Sequence, residues 1–222
     1  MMEALHSAGI SNGMITSAAI TIILTVIAVV SGRRLQTVPS GFQNFAEWAI
    51  GSLYNFFEGI MGKKLCKSCF SLICTLFIYI LLSNYVGLLP WAGHIPGVAA
   101  PTSSINCTLS MAIIVFVMIQ YTGIKEHHGL SYFKHLLKPF AFVLPLMIME
   151  DLVKPVSLTL RLYGNIYGEE TVTECLFDLV PLGVPVIMQA LSVLMGLIQA
   201  LVFALLASIY ITEAGTVEEE HL

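Results

Sequence analysis

Arg161 stands within an apolar stretch, Pro155-Val-Ser-Leu-Thr-Leu-Arg-Leu-Tyr-Gly-Asn-Ile-Tyr-Gly-Glu-Glu170, far from any loop signal. A guanidinium stays charged at every physiological pH. Holding one at membrane depth costs between roughly 3 and 17 kcal/mol depending on the method, so such a residue calls for a functional explanation. The chemistry open to it is electrostatic. A fixed cation can bind an anion, or can favour the charged form of a carboxylate brought beside it. The structural explanations are an ion pair with Glu169, Glu170 or Glu174, or a side chain that snorkels to the interface from a helix end. The nearest flanking breaks lie several residues away on either side, too far for easy snorkelling.

Helical spacing sharpens the pattern. At about 100° per residue, Ser157 and Asn165 sit four residues before and after Arg161 and share its face. Glu170, nine positions on, turns to the opposite face, and Glu174 stacks over it one turn later. The stretch therefore shows a cation with small polar neighbours on one side and a carboxylate pair on the other. An internal salt bridge would instead favour Arg and Glu four residues apart.

These residues must be positioned by helices in a membrane. Of 222 residues, 57% are hydrophobic and 11% charged, and the mean hydropathy is +0.85. A soluble domain carries about 25% charged residues. The composition predicts an all-α polytopic membrane protein, because no alternating ten-residue strands are visible that could close a barrel. There is no basic stripe for nucleic acid and no long charge run. The five cysteines are an odd number and are expected as reduced thiols. Cys66 and Cys69 form a C-x-x-C with neither a second pair nor a nearby histidine, and read as chance placement at a helix start. The N-terminus lacks a basic region, so the first apolar run reads as an anchor rather than a cleaved signal.

In chain order, residues 14–31 form the first span, long enough for a hydrocarbon core of about 30 Å. Arg33 and Arg34 close it on the side the positive-inside rule makes cytoplasmic, with the N-terminus outside. Residues 40–62 place Phe42, Phe45, Trp48/Ala49, Ser52/Leu53 and Phe56 at three- and four-residue steps. They read as an amphipathic helix on the cytoplasmic surface, followed by Lys63, Lys64 and Lys67. Residues 68–89 form the second span, with Asn84 as an interhelical hydrogen bonder or part of a polar path. Residues 90–106, rich in Pro and Gly and without a basic residue, read as an external loop, and 107–124 as the third span.

A basic loop follows with Lys125, Lys134 and Lys138, and its histidines read as plain loop residues. The apolar segment 140–176 would measure about 55 Å as one helix. It is therefore either steeply tilted or two pieces hinged near Pro155. Residues 186–212 make the last span, with Ser192, Gln199 and Tyr210 near one face and Glu213 at its end. The acidic tail 218–222 reads as disordered. Of ten Lys and Arg, eight fall on the assigned cytoplasmic side, and only Lys154 and Arg161 lie inside the long segment. The expected topology is five spans plus one interfacial helix, with the C-terminus inside.

The string Lys-Pro-Val-Ser-Leu-Thr-Leu-Arg-Leu-Tyr-Gly-Asn resembles the signature of subunit a of the F-type ATP synthases. So do the last helix with Leu-Ile-Gln-Ala-Leu-Val-Phe and the Asn-x-x-Gly-Leu-Leu-Pro beginning at Asn84. The resemblance runs from about Ser68 to Tyr210. It implies that Arg161 is the family's essential arginine, Gln199 the polar residue facing it, Asn165 the asparagine of the motif, and Glu170 the acidic position of an outer aqueous half-channel. Ser192 stands where some members have histidine, and Glu169 where others have glycine.

By this resemblance the chain sits in the plasma (inner) membrane as a non-catalytic, ion-conducting stator without a cofactor. Its implied partners are a c-subunit ring with a membrane-embedded carboxylate, the b-subunit peripheral stalk and lipid. An outer path would then be lined by Glu169, Glu170 and Glu174, and an inner one by the face from Ser192 to Tyr210, with Glu213 and Glu150 or Asp151. From the residues alone, a stand-alone ion-coupled transporter and a non-conducting scaffold are the competing readings. The absence of an internal repeat speaks against the transporter.

Overall fold

A computed structural model describes residues 12–33, 41–88, 100–126, 144–179 and 184–216. Their order is α1 (Asn12–Arg33), α2 (Phe42–Gly87), a 3-10 turn (Pro101–Ser103), α3 (Ile105–Glu126), α4 (Leu144–Leu179) and α5 (Val184–Thr216). Helices satisfy their own backbone groups, which an apolar surrounding demands. Four of them, α1, α2, α3 and α5, are long and apolar enough to cross a membrane. The charged residues of α4 set it apart from these four, although it is 36 residues long. Arg34, the loop 127–138 and the acidic tail 218–222 lie outside the described residues.

The helix expected at 40–62 and the span expected at 68–89 are joined with no loop between them. α2 runs 46 residues and bends at Gly62, whose φ of 72° and ψ of 160° are non-helical. Only glycine occupies that region freely. Replacing Gly62 with Ala should cost about 1–3 kcal/mol, read as a lower midpoint of thermal unfolding in detergent, while Gly59→Ala in the regular helix should not. Before the bend, the aromatic stripe faces outward. Phe45, Trp48 and Phe56 are exposed, and the neighbouring Phe57 and Met61 pack on the body. Spacing alone marks both stripes as apolar, and burial separates them.

The open question at Pro155 is answered by one unbroken helix: α4 carries Pro155 in its interior. A proline has no N–H to give the carbonyl one turn back. The Thr159 hydroxyl donates to the Pro155 carbonyl at 2.8 Å.

The core lies where the arm of α2 after Gly62 packs on α5, the most extensive contact in the structure. On α2, Leu65, Cys66, Cys69, Ile73, Leu76, Phe77 and Ile80 are buried at helical steps. On α5, Ala200, Phe203, Ala204, Ala207 and Ile211 answer them. The small residues of α5 allow close approach, which matters where lipid removes any hydrophobic gain between helices. α4 contributes Leu158, Leu162 and Ile166 to the same cluster. α1 is the loosest element and exposes Ile22, Ile23, Val26, Ile27, Val29 and Val30. The Ser17 and Tyr79 hydroxyls tie it to α2 at 2.6 Å. All five cysteines are free thiols.

The loop expected over residues 90–106 is structured at its end. Pro101 and Thr102 are buried in the 3-10 turn. The Thr102 hydroxyl donates to Asn84 Oδ1 at 2.8 Å, and Asn84 Nδ2 donates to the Gly196 carbonyl at 3.1 Å. Asn84 is therefore an interhelical clamp between α2, the turn and α5. A Cβ on Gly196 would come within 3.3 Å of Asn84 Cβ, so the clamp closes on a glycine.

Candidate functional site

The outer face of α4 follows from its buried one. Leu158, Leu162 and Ile166 turn inward at four-residue steps, which leaves Arg161 and Asn165 exposed beside them. Ser157, one turn before Arg161, is half-buried. Among the described residues Arg161 makes no ion pair. The internal salt bridges that the sequence left open, to Glu169 or Glu170, are thus not formed; the side chain of Glu174 lies outside the described residues.

One turn beyond Arg161, two amides from different helices meet. Asn165 Nδ2 donates to Gln199 Oε1 at 2.7 Å, from α4 to α5. Gln199 is only 5% exposed. Its Nε2 is buried and finds no acceptor among the described residues. An amide in that state costs about 1–3 kcal/mol unless something accepts from it. The pair sits on the wall of a cleft of about 220 Å³ between α4 and α5, lined also by Gly168, Glu169, Val172, Met188, Leu191 and Met195.

Adjacent carboxylates on α4 go to different places, because neighbouring helical residues are turned by about 100°. Glu169 lines the cleft. Glu170 is half-buried and lies toward the end of α2, where a Cβ on Gly87 would come within 3.8 Å of Glu170 Oε1 and 2.7 Å of Ala100 Cβ. That close approach needs glycine at position 87. Ser192 is buried and donates to the Met188 carbonyl at 2.9 Å, so its hydroxyl is spent on its own helix. Gln189, which the sequence did not single out, donates to the Leu88 carbonyl and fastens the start of α5 to the end of α2.

A second polar cluster lies about two turns before Arg161. Lys154 Nζ is 3.5 Å from Glu150, 3.5 Å from Asp151 and 3.3 Å from Glu213 of α5. It also lies over the Tyr210 ring, 5.7 Å from the centroid. Asp151 accepts from Gln120 of α3 at 3.3 Å. Asp151 and Lys154 pair three residues apart on one helix, and the cross-helix partner Glu213 is the part that local spacing had no means of revealing.

A membrane protein of packed helices, with an exposed arginine beside an amide pair that joins two of them, is the class these features define. Residues 14–212 match the family of the ATP synthase A chain, and the chain belongs to it. It is 42% identical to ATP synthase subunit a of Trichlorobacter lovleyi over 215 residues, covering 95% of this chain and 89% of that one. It is 41% identical to ATP synthase subunit a of Geobacter sp. strain M21, covering 99% and 95%. The corresponding values for ATP synthase subunit a of Geotalea uraniireducens are 43%, 90% and 84%.

Proposed function

We propose that the chain is the ion-translocating stator of a rotary ATP synthase in its membrane sector, coupling H⁺ or Na⁺ flow to rotation of a c-subunit ring. The observation that carries this reading is Arg161, exposed and without an ion-pair partner among the described residues, next to the Asn165–Gln199 pair. A cation left open on an outward face awaits a partner carboxylate. Each ring carboxylate that meets it is favoured in its charged form and must release its ion before passing. Between an outer path at Glu169, Glu170 and Glu174 and an inner one near Glu150, Asp151 and Glu213, the same charge stops direct leakage. Ions then travel by way of the ring, driven by about 2.3 kcal/mol per charge per 100 mV.

In this reading α4 is the fifth span. Its 36 residues, about 54 Å of helix, lie obliquely in a core of about 30 Å. The aromatic arm of α2 rests on the cytoplasmic surface, the N-terminus is outside and the C-terminus inside the inner membrane. Two contacts support a common cytoplasmic end: Lys64 pairs with Glu126, and a Cβ on Gly215 would meet Leu65 and Thr122. The b-subunit stalk and lipid complete the surroundings, and ATP chemistry belongs to another subunit.

The test is ATP-driven uptake by the reconstituted complex, with and without Na⁺ and a protonophore. Acidification abolished by the protonophore is the expected result for a proton machine, and sodium uptake that survives it for a sodium machine. No uptake of either ion by a fully assembled complex would overturn the reading in favour of a scaffold.

A further inference from the structure

Pro155 is the weak point of α4, and it stands six residues before Arg161. With no N–H at position 155, the Asp151 carbonyl one turn back goes without its regular helix bond. Sharp kinks of about 20° or more in helices fall mostly at prolines. Arg161 lies about 9 Å beyond Pro155 along the axis, so a swing of about 20° at the proline would carry its backbone by about 3 Å. A hydrogen bond tolerates far less. Yet α4 runs through residue 155 as one helix.

Side chains tie the turn where the main chain does not. Lys154 Nζ lies 3.5 Å from both Glu150 and Asp151, so two contacts bridge the stretch whose main-chain bond is lost. A third, 3.3 Å to Glu213, reaches α5. Asp151 in turn accepts from Gln120 of α3 at 3.3 Å. The turn is thus held from within α4 and from two neighbouring helices at once. Exposed ion pairs contribute little singly, whereas several charges joined in one network hold geometry better. Here the junction is tucked in, since the Lys154 side chain is only 13% exposed. An ammonium has three N–H donors, and three carboxylates surround this one.

We infer that Lys154 is a positioning residue: it splints α4 across Pro155 and anchors that turn to α3 and α5, so that Arg161 keeps its place while a passing carboxylate pulls on it. A pull on Arg161 bends α4 as a lever about its weakest turn. The splint takes up that strain where main-chain support is missing.

The inference rests on the proposed function for the source of the pull, and the experiment separates the two. In the reconstituted complex, two quantities are read per assembled complex: ions moved per ATP hydrolysed, and the largest gradient sustained. Lys154→Met, which keeps most of the stem and loses the charge, should lower both while ATP hydrolysis continues. Lys154→Gln gives a second uncharged side chain should methionine hinder assembly. Pro155→Ala returns a main-chain donor to the Asp151 carbonyl and alone should lower neither quantity. The double variant Lys154→Met, Pro155→Ala should recover both, because a continuous helix needs no splint. Wild-type values in the uncharged Lys154 variants would overturn the inference. So would a loss that Pro155→Ala leaves in place, which would make Lys154 a charge acting on the ions themselves. A loss that follows only the amount of assembled complex would overturn it too, leaving Lys154 a plain element of the fold. Arg161→Lys, inactive in the same preparation, leaves the proposed function standing whatever Lys154 shows; normal pumping by Arg161→Lys would overturn the function itself.

Discussion

Arg161→Lys should abolish ATP-driven ion pumping in the assembled complex, and Arg161→Gln should add a passive leak. At 4 Å and an effective dielectric constant near 20, a fixed positive charge attracts a carboxylate by about 4 kcal/mol. That equals about three pKa units, enough to strip a carboxylate of its proton at neutral pH. Lysine keeps the formal charge but not its permanence, since desolvation lowers an ammonium pKa by up to about 3–5 units. A lysine facing an apolar ring can hand its proton over and stop acting as a barrier. Glutamine removes the charge outright, so ring carboxylates can pass protonated and ions cross without rotation. Vesicles holding the variant complexes give both readouts: ATP-driven uptake, and decay of an imposed gradient once the catalytic sector is stripped away. Wild-type uptake by Arg161→Lys would exclude the electrostatic role.

Asn84→Leu should destabilise the chain by about 1–3 kcal/mol, the cost of leaving a buried polar group without a partner. Thr102 and Asn84 are 0% and 4% exposed, so water offers the lost bonds no replacement. The Thr102 hydroxyl loses its acceptor. The Gly196 carbonyl loses a donor, a smaller loss, because a carbonyl has a second lone pair for its helix bond. Leucine is also bulkier at a point where a Cβ added to Gly196 would come within 3.3 Å of the Asn84 Cβ. Unfolding in detergent measures the loss. The double variant Asn84→Leu, Thr102→Val should cost less than the two single changes together, since removing both partners spares the orphaned hydroxyl. Strict additivity would contradict the clamp. Because Gly196 lies three residues before Gln199, the same clamp fixes the height of the amide beside Arg161.

How much of this was legible depended on whether a feature is local. Composition and apolar run length mark the helical membrane class, since both follow from the demands of lipid on a single segment. The shared face of Arg161, Ser157 and Asn165 is a matter of helical angle, and so is the turn of Glu170 away from it. The bend at Gly62 was harder. A glycine between two apolar stretches signals a break, but a loop and a sharp bend read alike without the backbone angles. Pro155 left one long helix and two hinged pieces both open, and one missing hydrogen bond in a long packed helix was too small a loss to divide it. The clamp of Thr102, Asn84 and Gly196 joins residues 18 and 112 positions apart, and the partner of Lys154 on α5 is just as remote. Such pairings arise from packing, and no periodicity in one segment encodes them. The cleft is of the same kind. Glu169 and Gln199 could both be named from sequence, whereas the bond between Gln199 and Asn165 could not.

The Lys154 cluster has one property that its hydrogen bonds do not express. Three carboxylates and one ammonium leave two negative charges over, and Lys154 is 13% exposed while Glu150 and Glu213 are 57% and 47% exposed. The positive charge is tucked in and the negative ones face out. Within a screening distance of about 8 Å at physiological salt, the described residues at this end of α4 and α5 therefore attract cations. That attraction shrinks as ionic strength rises, so under the proposed function the rate at which ions reach or leave this end should depend on salt even where the fold does not.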